Sequence, residues 1–274
     1  MTVSDRIESR TGVARICAAA LFALAGVLFV VYPVVRPYAA GGAPDGLAEF
    51  ASPWWLVAHL AAVGGFIAFG LALVALSGLL KGAGGERAAV VAVAASWIGA
   101  GLTLPYYGAE TFALHALGGS GLGGSGLDEL AVTNLAESVR MGAAQATLFA
   151  AGLLLVAVGA SAAAVAIARS RLLAGWAGIP MAVGFALFIP QFYVDAPLRI
   201  GHGALIGFGC AVVALGVLRS QSPRSTMTGA WSLAPLPLRS LRSISALSTR
   251  PARAGDPSTK SMRIPCFFGN RNWV

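Results

Sequence analysis

The sequence predicts an all-α membrane protein, a bundle of about six transmembrane helices with both termini in the cytoplasm. Of its 274 residues, 57% are hydrophobic and 11% are charged, whereas soluble domains carry about a quarter charged residues. Six apolar runs are each long enough to cross a bilayer, which takes roughly 20 residues as helix. The runs are Ile16–Val35, Trp54–Leu80, Ala88–Pro105, Ser138–Ala168, Leu173–Pro190 and Leu198–Leu218.

The basic residues between the runs set the orientation, because Lys and Arg in short loops stay in the cytoplasm. They alternate from one side to the other. Those assigned to the cytoplasmic side are Arg6, Arg10, Arg15, Lys81, Arg87, Arg169, Arg171, Arg219 and the tail. The opposite side carries Asp45, Glu49, Glu110, Asp128, Glu129, Glu137 and Asp195, balanced by Arg36, Arg140 and Arg199. Six crossings satisfy every loop.

The first run predicts an uncleaved helix that follows a cytoplasmic segment, residues 1–15. Its apolar core exceeds the roughly 7–15 residues of a signal peptide, and further runs follow it. Pro53 opens the second helix, where a missing amide proton costs nothing. The adjacent Trp54 and Trp55 are typical of the lipid–water boundary.

Two segments predict little regular structure. The sequence GGSGLGGSG at residues 118–126 is typical of a flexible connector, and residues 128–137 after it predict a surface helix. The membrane domain is expected to cover residues 16–218, followed by a disordered basic tail at residues 219–274, where Ser, Pro and Arg dominate.

The expected partners are membrane lipids. Most of the net charge of +8 comes from the tail, which favours contact with anionic lipid heads and gives no reason to expect nucleic-acid binding. Gly203 and Gly207 form a GxxxG pattern that suits close helix packing. We favour packing within the bundle, and a homo-oligomer or another membrane partner stays open.

Polar side chains gather at the outer ends of the predicted helices. His59 and His202 lie at similar depth, each after a proline and each five residues before a glycine. The candidate ligand-binding residues are His59, Tyr107, Glu110, His115, Glu137, Arg140, Asp195 and His202. Tyr106, Gln191, Tyr193 and Arg199 complete the group.

A charge at membrane depth is costly unless it is paired. We therefore expect Arg140 to pair with Glu137 or Glu110. We also expect His59, Glu110, Arg140 and His202 to form one polar pocket.

Two pairs of segments resemble each other, which indicates an old duplication of helical hairpins. HLAAVGGF matches HGALIGFG, and LPYYGAE matches IPQFYVD in the offsets of its proline, aromatic and acidic residues. Repeats of this kind are common in transporters, where binding sites form at the repeat interface.

Three functions fit these patterns. The preferred one is a binding or structural role, with a ligand that comes from the outer side. A small-solute or proton transporter is the alternative, although the inner halves of the helices lack polar groups. A metal- or haem-dependent redox protein is the third, with His59 and His202 as ligands; no cofactor is strongly implied.

Enzyme chemistry is not favoured, because GxSxG, P-loop and dinucleotide-binding patterns are missing. Cys17, Cys210 and Cys266 have no metal or redox spacing. Arg far outnumbers Lys, while Ala and Gly abound, which suggests a GC-rich bacterial genome. The expected location is therefore a bacterial plasma membrane.

Overall fold

The computed structural model describes residues 3–39, 46–122 and 129–220, and every regular element in the described part is a helix. The helices are α1 (Val3–Val35), α2 (Leu47–Ala51), α3 (Pro53–Leu79), α4 (Glu86–Gly108), α5 (His115–Leu122), α6 (Glu129–Met141), α7 (Ala143–Ser170), α8 (Ile179–Ala186) and α9 (Ala196–Arg219). A π-helical segment, Ala109–Leu114, joins α4 to α5, and a 3-10 turn, Pro190–Tyr193, precedes α9. The expected disordered tail lies outside the described residues, apart from its first two residues. The expected connector differs from the prediction, because residues 118–122 belong to the helix α5; its residues 123–126 lie outside the described residues.

Five helical stretches within the described residues are long and apolar enough to cross a bilayer, which confirms a multi-pass membrane protein. They are Thr11–Val35, Pro53–Leu79, Glu86–Ser120, Ala143–Ser170 and Ala196–Arg219. Their mean hydropathies lie between 1.7 and 2.4. The orientation of the bundle in the membrane stays a prediction.

The fifth apolar run, Leu173–Pro190, differs from the expected single helix. Only the eight residues of α8 are α-helical, and the amide of Phe188 then donates to the carbonyl of Phe185, three residues back. Pro190 starts the 3-10 turn, because its ring has no N–H to continue an α-helix. The segment still connects the two ends of the bundle, since Leu173 lines a cavity with Arg15 and Phe192 lines one with Tyr32.

Small residues let the helix backbones approach closely. A Cβ atom built on Gly99 of α4 would lie 2.6 Å from the carbonyl oxygen of Gly152 in α7. The predicted GxxxG pair of α9 packs on α1, because a Cβ on Gly203 would lie 2.7 Å from the carbonyl oxygen of Phe29. Van der Waals packing of this kind drives helix association in lipid, and here it acts within the bundle.

Phenylalanine side chains fill the centre of the bundle. Phe29 of α1 makes edge-to-face contacts with Phe66 of α3 and Phe185 of α8, with ring centroids 5.1 and 5.3 Å apart. Phe188 contacts both Phe66 and Phe192, and so extends the cluster along the bundle. These rings bury large apolar areas in favoured geometry, so they hold α8 in place although it is short.

The close contact between α4 and α7 gives a direct test. Gly99→Ala should lower the free energy of unfolding by about 1–3 kcal/mol, because the new methyl group clashes with backbone atoms that cannot move alone. Gly101→Ala on the same helix is the control, since a Cβ there meets no atom within 4 Å. Unfolding in mixed micelles, followed by circular dichroism, measures both variants; equal stability of the two would contradict this packing.

Candidate ligand-binding site

Glu110 is held in the interior by the π-helical segment that follows α4. Pro105 lies inside the last turns of α4 and removes one backbone donor. The helix then widens over Ala109–Leu114, a change of register that is frequent at functional sites. Glu110 is only 7% exposed, and its backbone carbonyl accepts a hydrogen bond of 2.6 Å from the Trp55 indole.

His59 of α3 shares a proton with the Glu110 carboxyl group. Its Nδ1 lies 2.8 Å from the carbonyl oxygen of Trp55, and a carbonyl can only accept, so Nδ1 carries a hydrogen. Its Nε2 lies 3.0 Å from Glu110 Oε2. One proton must therefore lie between the imidazole and the carboxyl group, on one atom or the other.

Arg140, at the end of α6, binds the second oxygen of the same carboxyl group. Its Nε donates to Glu110 Oε1 over 2.9 Å. The expected pairing of Arg140 is thus made with Glu110, while Glu137 is exposed on α6. Buried charges are tolerated when they are paired and hydrogen-bonded. The network of His59, Glu110 and Arg140, called the Glu110 network below, therefore ties α3, the π segment and α6 together.

A cavity of about 850 Å³ lies beside this network, at the end of the bundle that we predict to face outward. We call it the outer cavity. Its aromatic lining residues are Tyr32, Tyr38, Tyr106, Tyr107, Phe149, Phe192 and Tyr193. Its charged lining residues, among those that the structure describes, are Arg36, Glu110, Arg140, Asp195 and Arg199.

Aromatic rings in contact separate the outer cavity from the rest of the core. Phe149 stacks on Tyr106 with ring centroids 4.0 Å apart, and it also contacts Tyr107 and Phe192 at 5.8 and 5.6 Å. Tyr107 in turn contacts Phe66 of the central cluster at 5.6 Å. The cavity thus has an apolar floor and charged groups elsewhere on its lining.

Two arginines approach the same tyrosine at the edge of the cavity. The guanidinium carbons of Arg36 and Arg199 lie 5.0 and 5.8 Å from the centre of the Tyr38 ring, within cation–π range. Arg199 also donates to the carbonyl oxygens of Val194 and Phe192 over 2.9 and 2.7 Å. It therefore fixes the backbone that lines the cavity before α9.

The remaining predicted site residues are divided among other roles. Asp195 lines the outer cavity and is exposed. His115 contacts the carbonyl oxygen of Phe50 through Nδ1 at 2.7 Å, which fixes α2 against α5. His202 is bonded through Nε2 to the carbonyl oxygen of Gly184 at 2.8 Å, just before the break that ends α8. The expected pocket of four residues is corrected accordingly. His59, Glu110 and Arg140 form one hydrogen-bonded network, whereas the hydrogen bond of His202 goes to the backbone of α8.

The geometry does not favour a metal ion that is bound by both His59 and His202. Both ring nitrogens of His59 are engaged in hydrogen bonds, and one nitrogen of His202 is engaged with a carbonyl. Across the described residues, no group of three or more His, Cys, Asp or Glu side chains is arranged to hold a metal.

Several residues that line the outer cavity or contact its lining were not among the predicted site residues. Arg36 was counted only as an outer-side charge, yet it is 6% exposed and lies 4.9 Å from the ring of Trp55. Trp55 itself is fully buried while Trp54 is 56% exposed, because neighbouring helical residues point in different directions. Nothing in the sequence indicates that Phe149 lines a cavity, because aromatic residues are common in apolar runs.

No protein-family model matches the chain, and no curated protein or solved structure matches it significantly. The function is therefore argued from the geometry of the site.

The Glu110 network predicts unequal effects of two identical substitutions. Glu110→Gln should lower the free energy of unfolding by about 3 kcal/mol, because it leaves Arg140 and His59 without their carboxylate in a poorly solvated place. Glu137→Gln, on an exposed face of α6, should change it by no more than about 0.5 kcal/mol. Chemical unfolding in micelles, with tryptophan fluorescence as readout, compares them.

The double variant Glu110→Gln/Arg140→Gln checks the cause. If the pair is coupled, the double variant loses less stability than the sum of the single variants, by about 0.5–3 kcal/mol. Additive losses, or equal losses from Glu110→Gln and Glu137→Gln, would contradict the network.

Proposed function

We propose that this multi-pass membrane protein binds a small ligand in the outer cavity, and that the ligand arrives from the non-cytoplasmic side. The observation that carries the proposal is the cavity itself. Its volume of about 850 Å³ falls within the roughly 300–1,000 Å³ typical of pockets for drug-sized ligands. Such pockets combine an apolar or aromatic lining with a few placed polar groups, and this cavity does so.

Preorganisation supports a binding role. The Glu110 network fixes one part of the lining, and Arg199 fixes another through the Phe192 and Val194 carbonyls. A lining that is ordered before the ligand binds reduces the entropy lost on binding. We also propose a bacterial plasma membrane as the location, because the composition suggests a GC-rich genome.

A proton-coupled transporter is the second candidate. Its specific support is the proton shared by His59 and Glu110, since ionisable groups within membrane spans often belong to proton relays. Transport would require the aromatic floor of Phe149, Tyr107 and Phe66 to open. The binding role needs no such rearrangement, so it is preferred.

Filling the cavity tests the binding role. Ala150 lines the outer cavity, and Ala150→Trp should displace the ligand. Ala94→Trp is the matched control, because Ala94 is exposed on α4 and is not among the lining residues. Native mass spectrometry after gentle extraction from the membrane should find a small-molecule adduct on the wild type and on Ala94→Trp, with its occupancy strongly reduced on Ala150→Trp.

Two results would contradict the binding role. One is a wild-type protein with no adduct, and the other is an adduct of equal occupancy on the wild type and on Ala150→Trp.

A further inference from the structure

We propose that the ligand of the outer cavity is an anionic amphiphile: a single carboxylate or phosphate head on one apolar chain. This inference rests on the binding role proposed above and names the chemical class that the cavity selects. It follows from the charges of the lining, from their arrangement and from the shape of the apolar part.

The charged lining is predominantly basic. Arg36, Arg140 and Arg199 line the cavity in the described part of the chain, against the two acidic residues Glu110 and Asp195. Glu110 and Arg140 are paired with each other inside the protein, so the other charged residues of the described lining are the two arginines Arg36 and Arg199 and one acid, Asp195. Guanidinium groups match the geometry of carboxylates and phosphates, with which they form two parallel hydrogen bonds.

The arrangement of the arginines favours an anion near Tyr38. Arg36 follows α1 and Arg199 lies in the first turn of α9, yet both approach one tyrosine ring. Arg36 is almost fully buried, and electrostatic attraction is stronger where water is scarce. A negative head group bound beside Tyr38 would therefore be attracted to both guanidinium groups.

The apolar part of the cavity suits one hydrocarbon chain. Phe149, Ile189 and Phe192 line it, and Tyr106 stacks on Phe149. The cavity reaches the surface at Met141 and Tyr193, whose exposed fractions are 61% and 85%. Aromatic residues such as Tyr193 are typical of the membrane boundary, so an amphiphile from the outer leaflet can reach the cavity there.

Four probes with the same twelve-carbon chain and different heads test the class. Dodecanoate and dodecyl phosphate are anionic, dodecyltrimethylammonium is cationic, and dodecanol is neutral. With the wild type in phosphatidylcholine nanodiscs, and empty nanodiscs as the partition blank, the change in tryptophan fluorescence on binding gives each Kd. The anionic probes should bind at least roughly tenfold more tightly than the other two, as expected for charge-assisted hydrogen bonds.

The two anions distinguish the possible sources. Tighter binding of dodecanoate indicates a fatty-acid-like carboxylate, and tighter binding of dodecyl phosphate indicates a phosphate head. Phosphatidylglycerol added to the nanodisc should not displace the preferred probe, because two acyl chains exceed the volume of the cavity. Displacement by this lipid would overturn the single-chain proposal.

Substitutions at Arg199 separate charge from local structure. Arg199→Gln also removes the contacts with the Phe192 and Val194 carbonyls, so it should weaken all probes somewhat, but it should weaken anion binding roughly tenfold more than dodecanol binding. Arg199→Lys, which also loses the two-pronged contact with Phe192 and Val194, should restore much of the affinity because it keeps the charge. Arg15→Gln is the matched control, since Arg15 lines a cavity at the opposite end of the bundle.

The outcomes separate this inference from the binding role. If all four probes bind equally and Ala150→Trp weakens all of them, the binding role stands and the anionic class is wrong. The class is equally contradicted if Arg199→Gln and Arg199→Lys weaken the anions to the same extent, or if no probe binds. The adduct seen or missing in native mass spectrometry then decides the binding role by itself.

Discussion

The carboxyl group of Glu110 is the constraint on which the outer half of this protein depends. It is almost fully buried, and its two oxygens face His59 of α3 and Arg140 of α6. The Glu110 carboxylate is not stable there without partners, because a buried charge without a partner costs several kcal/mol. The helices that carry them must therefore keep their positions relative to one another, and the Glu110 and Arg140 side chains on the lining of the outer cavity are fixed as a result.

A second regularity is that side-chain donors meet backbone carbonyls where the helices are irregular. Trp55 donates to Glu110 in the π segment, His202 bonds to Gly184 beside the break in α8, and Arg199 donates to Phe192 in the 3-10 turn. Irregular backbone at membrane depth is tolerated only where such partners exist. Many of the polar side chains at this end of the bundle thus form hydrogen bonds with backbone carbonyls. A smaller group of charged side chains lines the cavity: Arg36, Glu110, Arg140, Asp195 and Arg199.

The sequence was sufficient for the membrane class and for the pairing of Arg140 with a carboxylate, because both follow from the cost of exposing charge to lipid. It was not sufficient to predict how short α8 is, since apolar composition gives the length of an apolar run but not whether the helix is continuous. Pro180, at the start of α8, and Pro190, at the start of the 3-10 turn, were the available signals. The similar depth of His59 and His202 suggested one common pocket, yet the two side chains contact different elements. Their three-dimensional neighbours depend on the rotation of each helix, which a nearly uniform apolar sequence does not specify.

The most direct test of this account is a pair of distances around Glu110, measured in lipid bilayers by solid-state NMR. With the Glu110 side-chain carboxyl carbon labelled with ¹³C and the His and Arg side chains labelled with ¹⁵N, two dipolar couplings are expected from this carbon. One leads to His59 Nε2 and the other to Arg140 Nε, because these nitrogens lie 3.0 and 2.9 Å from the two carboxyl oxygens. Each assignment is checked by its loss in His59→Gln or Arg140→Gln. The absence of either coupling in the folded wild type would contradict the account.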